Sequence, residues 1–360
     1  MFKRVLRKPD GRQQLLYSRR PISDQLTAPS PEKEPRVSSG HLRWHPLRKE
    51  WVVYATHRQQ RTFLPPPEWN PLAPMTNPDV PTEMPVGDYD ISVFDNLFPA
   101  LSQTPTPPEQ LVPTRGSEGT CEVVVFTQDS QASLGVLPLT QIELLIEVWA
   151  DRTRELGERK DVQYVFPFEN RGVEVGVTLS HPHGQIYAFP FVPPLAQTEL
   201  AAQREHLVQH HRGLLETMID AELADGRRML YRGSHAVAFV PVCARYPYEV
   251  WIGPRRAAQS FTELNADEIV DLARALKTVL LKFDGLWNTP FPYVMVWHQA
   301  PSDGLPHPEA HLHAELYPPY RLPGRLKYLA GTELGAGTFS ADTLPEDKAR
   351  ELQVIEVKLE

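Results

Sequence analysis

Cysteine is almost absent from this chain: Cys121 and Cys243 are the only two among 360 residues. They stand far apart, each within an apolar run, which argues against a secreted disulfide framework and a cysteine-rich zinc module. Long hydrophobic runs are missing too, since no stretch approaches the ~20 apolar residues that cross a bilayer. The basic start MFKRVLRKPD has no apolar core behind it, so it does not read as a secretion signal. Positive charge is not in excess. Lys and Arg number 37 against 45 Asp and Glu, a formal charge of −8. A generic nucleic-acid or membrane surface is therefore not expected, while a local basic pocket for a phosphate ester remains open. Together these absences point to a cytoplasmic protein.

Proline is what the chain has in surplus: 37 residues, against an ordinary share of about 5%. The clusters PPPEWNPLAP (65–74), TPTPPEQ (104–110) and PISDQLTAPSPEKEPR (21–36) read as loops, because proline interrupts helices and central strands. Residues 1–40 are expected to form a mobile arm, or one that drapes over a partner subunit. At roughly 150 residues per domain, the length fits two units or one domain built twice.

The order of elements favours duplication. CEVVVF (121–126) reads as a strand, and Thr140 with Glu143 as a capping box opening an amphipathic helix over 140–158. VQYVFPF (162–168) and HGQIYAF (183–189) read as strands. The plan then recurs: strand YEVWIG (248–253), a helix capped by Asn265 and Glu268, and strands YVMVWH (293–298) and HLHAELY (311–317). Between the halves, 196–225 reads as one helix and 228–242 as a hairpin. The expected class is α+β, a mostly antiparallel sheet with helices packed on it.

Each half ends in a strand carrying H-x-H. In LSHPHGQIYAF (179–189), alternation puts His181, His183 and Gln185 on one face, and Gly184 leaves room for a ligand at the backbone. A neutral imidazole whose second nitrogen is held by an acceptor is a capable nucleophile. An amide at Gln185 can donate to a phosphate oxygen but cannot titrate, so it offers no general base to activate water. The pattern points to attack by histidine and a covalent adduct that resists hydrolysis. A plain pair of strand-edge histidines is the bland alternative.

The segment FPFENRGVEVGVTLSHPHGQIYAFPFVP resembles the signature of the galactose-1-phosphate uridylyltransferase family, a branch of the histidine-triad superfamily. LRWHPLRKEWVVYATHRQQR (42–61), VFDNLFPAL (93–101), WHQAP and HLHAELYPP are similar to further family elements. The resemblance runs from about residue 42 to 335. It implies two histidine-triad-like halves forming a half-barrel sheet, residues 41–195 with the HPHGQ motif and 196–360 as a degenerate second half. It implies His183 as the nucleophile that takes the uridylyl group and Gln185 as the residue bonding the α-phosphate. Asn170, Gly176 and Thr178 fall on phosphate-contacting positions, Arg58 and Arg61 on basic residues at the substrate phosphates, and Asn96 on a nucleotide-contacting position. Lys327 and Glu333 fall on a segment that holds the hexose. The implied reaction is a ping-pong exchange of UMP between UDP-glucose and galactose 1-phosphate, by a homodimer.

The resemblance also bears on metals. Family zinc sites use Cys-x-x-Cys and two histidines, but here Asn70, Ala73 and Ser130 stand at three of those positions and only His181 remains. No zinc is expected there, and His181 is expected to support the loop. A second family site, usually iron, maps onto Glu199, His298 and His313, with Glu315 replacing the last histidine. One structural divalent ion, iron or zinc and alternatively manganese, is expected at that second-half site. His206, His210 and His211 read as a solvated helix face. Two other functions remain open: a related nucleotidyl phosphorylase, for example on ADP-glucose, and a non-catalytic nucleotide or metal sensor.

Overall fold

The computed structural model describes residues 1–36, 40–60, 63–101 and 109–359. Arg61 and most of TPTPPEQ lie outside the described residues. In chain order the strands of the first part are β1 (Phe2–Arg7), β2 (Gln13–Ser18), β3 (His41–His45), β4 (Glu50–Tyr54), β5 (Ile91–Asp95), β6 (Thr114–Gly116) and β7 (Thr120–Val125). Helix α1 (Leu139–Gly157) and strands β8 (Tyr164–Arg171) and β9 (His183–Phe189) follow. Next come α2 (Pro194–His210), α3 (Leu214–Asp225), β10 (Met229–Arg232), β11 (Ala236–Phe239) and β12 (Val250–Pro254). The chain ends with α4 (Ala266–Leu286), β13 (Tyr293–His298), β14 (His313–Tyr317), β15 (Tyr320–Leu322), β16 (Arg325–Leu326) and α5 (Pro345–Gln353).

Eleven strands form one antiparallel sheet in the order β1-β2-β5-β7-β9-β8-β13-β14-β12-β11-β10. The order is symmetric about the β8–β13 junction, where Asn170 pairs with Val294 and Phe168 with Val296. Going outward, β9, β7 and β5 on one side match β14, β12 and β11 on the other, so the duplicated plan is built into one continuous sheet. Strand alternation then sorts the side chains. One face carries Val124, Val165, Ile186, Ile252, Met295 and Ala314, all packed under α1 and α4 in a single core. The other face carries His183, Gln185, Phe168, His298, His313 and Glu315, as the cross-strand pairs require. No helix among the described residues is long and apolar enough to cross a membrane.

Three expectations are corrected. Residues 2–18 are not an arm. β1 pairs with β2 and β2 with β5, making the edge of the main sheet. Lys8 fixes the hairpin: its buried Nζ donates to the carbonyls of Pro29 and Glu83, each at 2.7 Å, and pairs with the Glu83 carboxylate. Helix α1 starts one residue early, after Pro138, and makes no side-chain cap; Thr140 sits inside its first turn. The span 196–225 is two helices, because His211 takes φ 55° at the end of α2 and Gly213 opens α3. Beside the main sheet, β3, β4 and β6 form a separate three-stranded sheet, and Val53 packs against the buried cluster of Ala100, Leu101 and Cys121, as Tyr187 and Phe189 of the main sheet do. The expected capping box of α4 does form, with Asn265 Oδ1 accepting from Glu268 N at 3.0 Å and Glu268 Oε2 from Asn265 N at 2.9 Å.

Candidate active site

His183 opens β9 with its side chain on the face away from α1 and α4. Its Nδ1–H donates to the carbonyl of His181 at 2.7 Å. A neutral ring so held has its lone pair on Nε2. Burial keeps the imidazole below its ordinary value of 6.5 against the upward pull of that carbonyl, which favours the neutral form. The ring borders a cavity of about 590 Å³, together with Asn170, Arg171, Val173, Ser180 and Ser133. Gln185 lies two residues along the same face, opposite Phe168 on β8 and Val123 on β7.

Gly184 serves a different purpose from the expected ligand approach. A Cβ there would lie 2.9 Å from the Phe168 carbonyl and 2.8 Å from the Phe126 ring. The missing side chain lets β9 close against its neighbours on the helix-covered face.

His181 precedes the strand and is almost fully buried. Its Nε2–H donates to the Thr127 carbonyl at 2.8 Å, and its Nδ1 accepts from Asn70 Nδ2 at 3.0 Å. Both nitrogens are therefore in use, and Asn70 faces the ring with a donor. This arrangement does not fit a zinc ion held by His181 and Asn70, since zinc needs lone pairs from its ligands.

Of the remaining expected residues, Asn170 lines the cavity, whereas Gly176, Thr178, Arg58 and Asn96 are not among its lining residues. Thr178 accepts from Leu64 N at 2.8 Å, and Gly176 ends a short turn at φ 79°. Arg58 donates to Tyr187 OH at 2.7 Å, and Tyr187 lies on the same strand face as His183. Asn96 is committed locally, its Oδ1 accepting from Phe98 N at 2.8 Å. Lys327 and Glu333 instead pair with each other at 3.4 Å and do not border the cavity. Backbone N–H groups, first that of Ala330, hold the Glu333 carboxyl down to about 2.

In the second half, Glu199, His298 and Glu315 bring one ligand atom each within 4.8 Å of one another. Glu199 Oε2 stands 3.1 Å from His298 Nδ1, yet among the described residues both buried nitrogens of His298 lack a hydrogen-bond partner. Unpartnered imidazole nitrogens facing two carboxylates fit a divalent cation. Burial, then the charge of Glu315, pushes Glu199 up to about 8, and burial pushes Glu315 up to about 7. His313 stands outside this trio. Its Nδ1–H donates to the His311 carbonyl at 2.8 Å, its Nε2 lies 3.8 Å from Glu315 Oε1, and its ring stacks on His298 with centroids 5.3 Å apart.

Sequence reasoning missed Arg245. Its Nη2 donates to Glu315 Oε2 at 3.1 Å, and Tyr317 OH donates to the same oxygen. No motif marks Arg245, because a loop before β12 carries it to β14. The Arg171–Asp284 pair at the cavity, 2.7 Å apart, was missed for the same reason. On α2, the rings of His206 and His210 stand 4.3 Å apart, and His206 Nε2 donates to Thr217 Oγ1.

A duplicated antiparallel sheet with a tautomer-fixed histidine bordering an open cavity is the α+β arrangement this chain shares with nucleotidyltransferases. Residues 31–193 match the N-terminal domain of galactose-1-phosphate uridyl transferase, and residues 199–358 match its C-terminal domain. A galactose-1-phosphate uridylyltransferase of Thermotoga maritima is 38% identical over 324 residues, covering 88% of this chain and 99% of the relative. One from Rattus norvegicus is 33% identical, covering 88% and 87%. A solved uridylyltransferase structure superposes with a TM-score of 0.77 at 34% identity, over 87% of this chain and 97% of that one. The chain belongs to the galactose-1-phosphate uridylyltransferase family. An ADP-glucose phosphorylase of Arabidopsis thaliana, 24% identical with a TM-score of 0.66 over 89% of this chain and all of that one, shares the fold.

Proposed function

We propose that this chain moves a uridylyl group from UDP-glucose to galactose 1-phosphate by two displacements at His183. The observation that carries the reading is the neutral ring, with Nδ1–H committed to the His181 carbonyl at 2.7 Å and the ring bordering the cavity. In the first step the Nε2 lone pair attacks the α-phosphorus of UDP-glucose. The bond to the bridging oxygen breaks, and glucose 1-phosphate leaves with that oxygen. The new N–P bond places positive charge on the ring, which the retained Nδ1–H···O contact stabilises. In the second step a phosphate oxygen of galactose 1-phosphate attacks the same phosphorus. The N–P pair returns to Nε2, and UDP-galactose leaves. No net proton is consumed.

The catalysis is positioning and charge stabilisation. Gln185 donates to an α-phosphate oxygen and gives water no base, so the adduct survives until the acceptor arrives. Arg58 and Arg61 counter the phosphate charge, while Asn96, Asn170, Gly176 and Thr178 hold the nucleotide and its phosphates. Lys327 and Glu333 hold the hexose, and the working unit is a cytoplasmic homodimer. A divalent ion, iron or zinc, would be held by Glu199, His298 and Glu315, with His313 beside them. It would offset two carboxylates, the half-buried Glu199 and the buried Glu315, and tie α2 to β13 and β14, outside the chemical steps.

The test is an acid-free quench after mixing the protein with UDP-glucose labelled in the uridylyl group. A base-stable, acid-labile adduct on His183 is expected, and galactose 1-phosphate should discharge it to UDP-galactose. Discharge by inorganic phosphate alone would make the chain a phosphorylase, and no adduct at all would overturn the reading.

A further inference from the structure

The loop before His183 holds a chain of hydrogen bonds whose directions are forced. Leu72 N–H can only donate, and it donates to Asn70 Oδ1 at 3.0 Å. The Asn70 amide nitrogen therefore faces His181, where it donates to Nδ1 at 3.0 Å. A neutral imidazole carries one N–H, so the proton of His181 sits on Nε2 and goes to the Thr127 carbonyl at 2.8 Å. The same residue's main-chain carbonyl then accepts Nδ1–H of His183. Both ends of the chain are anchored. Leu72 is buried in a cluster with Leu16, Met84 and Val125, against which Leu179 packs. Phe126 N–H donates to the Pro182 carbonyl at 3.2 Å.

The second half provides an internal control. His311 repeats the outer bond, giving Nε2–H to the Pro254 carbonyl at 2.8 Å, and His313 repeats the inner one. Yet among the described residues His311 Nδ1 is buried without a hydrogen-bond partner. Of these two histidines, the one with the amide strut is His181, which borders the open cavity.

We propose that Asn70 is a positioning residue for His183: it locks the ring and tautomer of His181, and with them the carbonyl that orients the nucleophile, by hydrogen bonding where a metal ion would otherwise be needed. The inference rests on the reading of His183 as nucleophile. It adds that this loop is organised without metal by a residue that never touches substrate.

Two variants test it in the full-length protein. Asn70→Ala removes the strut. Asn70→Asp keeps the shape and the bond from Leu72 but turns the donor toward His181 into an acceptor. Both should lower kcat and the rate of adduct formation about 10- to 100-fold, the range seen when a partner of a reacting group is lost, while KM for UDP-glucose stays within about threefold. Nitrogen NMR of labelled histidine should show His181 protonated on Nε2 alone in the parent protein and on both nitrogens in Asn70→Asp. Zinc content at this loop should be nil in all three. Parent-like adduct rates in both variants, with unchanged melting temperatures, would overturn the proposal. So would stoichiometric zinc that is lost on Asn70→Ala, or a His181 that carries its proton on Nδ1. If the parent protein formed no adduct, the nucleophile reading would fail, while the NMR signature would still decide whether Asn70 sets the tautomer.

Discussion

His183 and His313 hold equivalent places in the two halves and are oriented alike. Each donates Nδ1–H to the carbonyl two residues back, at 2.7 and 2.8 Å. Each follows a histidine that donates Nε2–H to a carbonyl at the end of the neighbouring strand, also at 2.8 Å in both cases. What differs is the space around the ring. His183 borders about 590 Å³, whereas His313 borders about 10 Å³, closed by Ala196, Glu199 and Leu200 of α2. Two residues along each strand, Gln185 in one half corresponds to Glu315 in the other. The H-x-H pattern thus makes an oriented imidazole. Whether that imidazole faces an open cavity or a pair of carboxylates is decided by the helix laid across it.

Breaking the comparison at its centre gives the largest effect. His183→Asn should lower uridylyl transfer by at least ~10³-fold, whereas His313→Asn should still form the adduct. The quench experiment measures both, and equal losses would dissolve the distinction between the halves.

Beneath the sheet the two halves differ again. Glu122 on β7 and Val250 on β12 are equivalent by register. Glu122 is buried in a two-pronged pair with Arg152, at 2.6 and 3.0 Å, while Val250 is packed in the apolar core. Glu122→Val alone should cost up to ~3–5 kcal/mol in urea unfolding, because it takes the two-pronged partner from a buried guanidinium and leaves it the half-exposed Glu155; adding Arg152→Leu should recover most of the loss.

His313→Asn should cost ~1–3 kcal/mol at pH 7, the range for a lost buried hydrogen bond, and this cost should depend on pH. Burial lowers His313 to about 4 from 6.5. The unfolded chain then takes up the proton first as pH falls, so this residue's contribution is present above 6.5 and is lost toward 4. The stability gap between parent and variant should therefore narrow across that window, as urea midpoints at several pH values would show. A gap that widened would reverse the sign of the argument.

The smallest effect concerns Gly184, whose counterpart in the second half is Ala314. Gly184→Ala should destabilise by ~1–2 kcal/mol, since its Cβ would press on Phe126 and the Phe168 carbonyl. An unchanged melting temperature would show that β9 has slack.

The sequence by itself determined the strands β7, β9, β12 and β13, the capping of α4, the repeat of order and the singling out of His183 with Gln185. All are local: alternation, cap chemistry and spacing act within a few residues. It did not reveal the β1–β2 hairpin, where a short basic strand, β1, pairs with β2, which is in turn held by a distant partner, β5. Nor did it show that Arg245 loads Glu315, that Asn70 braces His181, or that His313 lies outside the trio formed by Glu199, His298 and Glu315. Those facts depend on which segments pack together over separations of tens to hundreds of residues. The tertiary structure alone decided which of two similar imidazoles faces an open cavity, because a local pattern fixes a ring's tautomer but carries no information about the helix that covers it.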